Sequence, residues 1–177
     1  MKNSHTNIAK IFHWGFILLY CYGLLKQLND LSQLEDPNLL TFEVIFASLF
    51  LFIVLIRYFY MRRFETFLGA YEPIPLGHKF AAKVIHKSMY LCLALLPLSG
   101  LLIAGLFKLG VKSGILQNFA IALHEFCAFL SYVLISIHIA AAIYSRLRRK
   151  GIWTSMVPLW PEVKVISSSR TKTKALE

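Results

Sequence analysis

Residues 119–144 read FAIALHEFCAFLSYVLISIHIAAAIY. Glu125 is the one charged side chain in the run, which is longer than the roughly 20 residues a helix needs to cross a hydrocarbon layer. Two histidines, His124 and His138, stand inside it. They are 14 residues apart. That is close to four whole turns at about 3.6 residues per turn, and roughly 21 Å along the axis at about 1.5 Å per residue. Both imidazoles therefore share one helix face, one near each leaflet. Ionisable side chains inside a membrane are costly and need polar partners or a function. Two groups stacked across a bilayer would require this spacing, although a pair of packed histidines could also produce it.

Working outward, three more stretches reach the spanning length, at about residues 8–28, 39–60 and 84–107. Glu43 is the sole charge of the second before Arg57, and the third has none after Lys87. Composition agrees: 57% of the 177 residues are hydrophobic and 16% charged, against about 25% charged in soluble domains. The expectation is an all-α integral membrane protein, a four-helix bundle formed by residues 1–150. Residues 151–177 make a basic tail whose Ser/Thr/Lys-rich end reads as disordered. The first apolar run has no small-x-small cleavage site after it and reads as a retained span rather than a signal peptide.

The formal net charge is +10, and its placement is one-sided. Lys26, Lys108 and Lys112 lie on one side of the membrane, beside Asp30, Glu35 and Asp36; every other Lys and Arg falls on the opposite side. The positive-inside rule then places both termini in the cytoplasm. The basic surplus is explained by topology and by contact with anionic lipid, and no nucleic acid is needed to account for it.

The remaining histidines are His5, His13, His78 and His86. His5 and His78 fall in polar segments and read as solvated. His13 opens the first span and His86 the third, at about the depth of His138. Haem iron accepts neutral imidazole on both axes, and filling both favours electron transfer over ligand binding. His13 suits the second axis opposite His138. His86 is either a competitor for that place or a neighbour serving a quinone or a propionate. Zinc would want four ligands at one depth, whereas these histidines are split between leaflets. Cys21, Cys92 and Cys127 sit in apolar runs without a CxxC or CxxCH pattern, so they read as filler and a covalently attached haem is not expected.

Several motifs together resemble the bacterial cytochrome b561 family. They are Ile11-Phe12-His13-Trp14, Leu123-His124-Glu125, and the run Ser136-Ile137-His138-Ile139-Ala140-Ala141-Ala142. In the third span His86 is followed by Tyr90, Leu96-Pro97 and Gly100. The likeness covers about residues 8–150. It implies a four-helix bundle in a bacterial inner membrane, carrying b haems and passing electrons among quinones, redox proteins and, in some members, superoxide. Carried over by position, His13 and His138 would ligate the cytoplasmic-side haem, and His124 would be one ligand of a periplasmic-side haem. The family's other ligand for that haem is a histidine in the second span. This chain has none. Counting back from Arg57, which resembles the basic residue ending that helix, the place falls at about Glu43. Three outcomes are open: one haem only; a second haem held by His124, alone or with Glu43; or a His124–Glu43 hydrogen bond in its stead. Arg57, Lys79, Lys83 and Lys87 could pair haem propionates or a quinone, or simply supply inside-positive charge.

Three functions are compatible with this reading. One is a haem b electron carrier between a quinone and a redox partner, in effect a quinone-linked oxidoreductase. Another is a cytochrome subunit anchoring a dehydrogenase or reductase in a hetero-oligomer, since the chain has no flavin, nicotinamide or iron–sulfur motif. The third is a haem-free relative, alone or as a homo-oligomer, kept for assembly or interaction.

Overall fold

The computed structural model describes residues 6–26, 30–63, 70–71, 73–157 and 162. Four long helices carry the fold: α1 (Asn7–Leu25), α2 (Pro37–Met61), α3 (Leu76–Lys108) and α4 (Ile115–Leu147), followed by the short α5 (Ile152–Met156). All four long helices have the length and apolar content to cross a membrane, and no strand occurs among the described residues. The third element departs from its expected bounds. The apolar run starts near residue 84, but the helix begins directly after Pro75. Its first turns carry the exposed His78, Lys79 and Lys83. Helical geometry needs satisfied backbone, not apolar side chains, so α3 continues past the hydrophobic layer until a proline begins it.

The ends of the helices follow local chemistry. Thr6 caps α1, accepting from the Ala9 amide. Asp36 caps α2 from the Asn38 amide at 2.8 Å, with Pro37 at the first helical position. Between them a 3-10 turn, Leu31–Glu35, is capped by Asp30. Hydrogen bonds from the Ser32 side chain and backbone hold the Asp30 carboxyl below the usual carboxylate range. α3 closes on Gly110, whose φ of 84° lets its amide reach Phe107 O while Val111 N reaches Leu106 O. That is the paired C-terminal bonding in which glycine is favoured. α4 closes the same way, with Arg149 N on Arg146 O and Lys150 N on Ser145 O. There, however, the left-handed position is filled by Arg149, at φ 51°.

α3 packs along both α2 and α4, and α1 rests on α2. α1 and α4 have no comparable backbone approach; side chains bridge the space between them. Phe16, Tyr20, Phe50, Val54 and Leu93 form the buried core at mid-bundle. Large apolar side chains such as Leu18, Phe52, Leu91 and Phe129 face outward. An apolar exterior on helices with internally satisfied backbones is the arrangement a lipid environment requires. The chain is a multi-pass membrane protein. Its two ends are distinguished below as the basic end, where α1 starts and α4 finishes, and the far end.

Candidate functional site

At the basic end all four helices contribute to one cluster. His13 comes from the second turn of α1, Arg57 from the end of α2, His86 and Tyr90 from α3, and His138 from α4. The His13 and His138 rings are 6.5 Å apart, centroid to centroid. The His86 and His138 rings are 5.1 Å apart. These distances discriminate between the two pairings. An imidazole nitrogen bonds a metal at about 2.0 Å, so two imidazoles that held one iron between them would stand with ring centres about 6 Å apart. His13 and His138 match that separation, and they face each other between α1 and α4, two helices without a close backbone approach. At 5.1 Å, His86 stands nearer to His138 than two imidazoles holding one metal between them would, and it is a neighbour of the pair.

Arg57 closes this cluster. Its Nη2 donates to His13 Nδ1 at 2.6 Å. Its guanidinium lies over the rings of Phe16 at 5.1 Å and Tyr90 at 5.7 Å. Its Nε is buried with no hydrogen-bond partner, and no carboxylate pairs with it among the described residues. Burying a cation without a counter-ion is expensive. The site therefore has an unmet demand for an anionic oxygen, which a haem propionate could fill in the strong, forked geometry guanidinium offers. The residues present fit haem b here, with two opposed imidazoles, an apolar and aromatic surround and a cationic donor, on one condition. A neutral His13 that accepts from Arg57 at Nδ1 carries its proton on Nε2, so holding iron through Nε2 would require Arg57 to release His13 and turn to a propionate while Nδ1 takes the proton.

Seven residues from His13 along α1 is Tyr20, and seven from His138 back along α4 is Ser131, with His124 seven further. Tyr20 and Ser131 share a hydrogen bond of 2.7 Å at mid-bundle, while the Ser131 hydroxyl reaches Ala128 O. This bridge was not anticipated from sequence. The heptad spacing along the two histidine-bearing faces was the available signal, since side chains seven apart share a face.

The far end is built differently. His124 Nδ1 is 3.0 Å from Ser99 Oγ. The single Ser99 hydroxyl proton is directed at the Leu95 and Leu96 carbonyls, 2.8 and 2.9 Å away. Toward His124, Ser99 is therefore the acceptor and Nδ1–H the donor, which leaves the ring's lone pair on Nε2. Glu43 makes no hydrogen bond to His124; its Oε1 is buried and unpartnered. Both residues instead line a cavity of about 490 Å³ between the helices. Of the three outcomes left open at this end, a direct His124–Glu43 bond is not formed. His78 is exposed on the first turn of α3, and His5 lies outside the described residues. Cys92 and Cys127 are buried and Cys21 exposed, all as free thiols.

Comparison with known proteins gives one match. The model of the family described as prokaryotic cytochrome b561 matches residues 4–159. No curated protein and no solved structure matches the chain.

Proposed function

The chain belongs to the prokaryotic cytochrome b561 family, membrane proteins that bind haem and transfer electrons, and from that premise we propose that it is a single-haem b electron carrier whose iron is ligated by His13 and His138. The observation that carries this reading is the 6.5 Å separation of those two rings. Held by His13 and His138, haem b would supply a reversible one-electron couple. The chain's own residues do the rest. α1 and α4 present the imidazoles from opposite sides. Phe16 and Tyr90 wall the site with apolar surface. Arg57, whose Nε has no partner, would neutralise a propionate.

His86 takes the neighbouring role. It stands 5.1 Å from His138, can hold or release a proton, and lies where a quinone could approach the haem edge. Positive charge around Arg57, Lys79, Lys83 and Lys87 supports reading this end as the cytoplasmic face of an inner membrane. The bundle of residues 1–150 is the electron-carrying unit, with the basic tail resting on anionic lipid or on a redox partner.

Purified protein expressed with ample haem tests this. The expected result is a b-type reduced-minus-oxidised spectrum, about one haem per chain, and loss of haem in His13→Ala and in His138→Ala but not in His86→Ala. Haem retained in His13→Ala and lost in His86→Ala would move the ligand to α3. A colourless protein would overturn the reading altogether.

A further inference from the structure

By resemblance a second haem would sit in the far-end cavity, and the lining of that cavity decides whether one fits. His124 keeps a lone pair on Nε2 and could hold iron from one side. The opposite axis needs another donor. α3 offers none, since it lines the cavity with Leu96, Pro97, Gly100, Ile103 and Ala104. α2 lines it with Phe46, Ala47 and Phe50, which have no donor atom, and with Glu43. Tyr20 is bonded to Ser131 at 2.7 Å, and Asp30 caps the 3-10 turn through the Ser32 amide at 2.6 Å. Glu125 and Tyr132 belong to α4 itself, one and eight residues beyond His124, so they approach from the same helix and not from across it. Lys26 would first have to give up its proton. The lining has no histidine besides His124, and no methionine or cysteine.

Charge points the same way. Asp30, Glu43 and Glu125 line the cavity against the single ammonium of Lys26. A haem brings two propionates, and no guanidinium awaits them here as Arg57 does at the basic end. A Glu43 carboxylate on the iron would add its own negative charge to theirs in surroundings of low polarity. Carboxylate oxygen suits magnesium, calcium or manganese, whereas haem iron takes imidazole, thiolate, thioether or phenolate. The residues present do not fit a second haem.

We propose that Glu43 closes this cavity to haem, and that electrons therefore enter and leave the protein at the basic end without crossing the bilayer. Exclusion of haem stands on the cavity alone; one-sided transfer also rests on the haem reading of His13 and His138. Electron tunnelling falls off steeply with distance, and His124 and His138 are roughly 21 Å apart along α4. With no carrier at the depth of His124, a haem at the depth of His138 serves donor and acceptor on its own side.

Exclusion is tested by gain of function. Haem per chain is measured on full-length protein purified after expression with ample haem. The parent should hold one haem, and His124→Leu should keep it. Glu43→His, which puts a neutral imidazole on α2 and removes a negative charge, should hold two, and adding His124→Leu to it should return the count to one. Glu43→Met, whose thioether also binds haem iron, takes its place if circular dichroism shows the histidine variant unfolded. Two haems in the parent, haem lost in His124→Leu, or no gain in a folded ligand variant overturns the proposal. A parent without haem, beside a Glu43→His variant holding one that His124→Leu removes, would sink the haem reading of the basic end and leave the closed cavity standing. One-sided transfer is read in vesicles with ferricyanide trapped inside and dithionite, which crosses lipid poorly, added outside. Dithionite should reduce the haem of molecules whose basic end faces out, while the trapped ferricyanide keeps its colour until a permeant mediator is added. Bleaching before the mediator, faster than in protein-free vesicles, would show electrons crossing and overturn one-sided transfer.

Discussion

Replacing Arg57 with methionine separates two roles that its position combines. In the structure its guanidinium donates to His13 Nδ1 at 2.6 Å and covers two aromatic rings. A hydrogen bond from a charged group contributes about 1.5–3 kcal/mol, and each cation–π contact about 0.5–2 kcal/mol. Against these stands the desolvation of a buried, unpaired guanidinium, which is several kcal/mol per ion. The terms nearly cancel before haem arrives, so Arg57→Met should change the stability of the haem-free protein by less than about 2 kcal/mol. With haem present the balance shifts, because a propionate completes the pair and methionine cannot replace it. Loss of a charge-assisted bond of about 1.5–3 kcal/mol corresponds to haem dissociating roughly 10- to 100-fold more readily. Haem transfer to excess apomyoglobin measures that rate, and denaturant titration of the haem-free variant measures the other quantity. A variant that keeps its haem as tightly as the parent but unfolds far more easily would show that Arg57 is a packing residue, and would refute its pairing with a propionate.

Three further outcomes follow from local geometry and topology. Arg149→Gly should raise the thermal midpoint, since a non-glycine residue at a left-handed φ of 51° carries about 1 kcal/mol of strain; an unchanged or lower midpoint counts against strain at that turn. Tyr20→Phe removes the 2.7 Å bond to Ser131 and should cost about 0.6 kcal/mol, the average for polar contacts between membrane helices, and no more than about 1.7 kcal/mol, the largest measured, while leaving the haem spectrum intact; a shifted spectrum would tie the bridge to the haem site. Single cysteines at Ser113 and at Ser168, in a background lacking native cysteines, should react with an impermeant maleimide from the periplasmic side only at Ser113; labelling of Ser168 instead would invert the topology.

Much of the fold was legible along the chain. Length and apolar content determined that there are four spans, because a helix that exposes no backbone is the economical way for a single segment to cross hydrocarbon. The regular repeat determined that His124 and His138 share a face and lie at different depths. The extended start of α3 was not legible, since helix and hydrophobic layer need not end together. What lies between helices was beyond the sequence. Residue spacing fixes rotation and depth on one helix but not the distance or relative rotation of two. Only packing decided that His138 faces His13 at 6.5 Å with His86 alongside at 5.1 Å, that Tyr20 meets Ser131, and that Glu43, though it lines the same cavity as His124, makes no bond to it. The membrane spans and the two depths of the histidines were thus written in the order of residues, and which rings stand opposite one another at the basic end came from how far apart the helices stand.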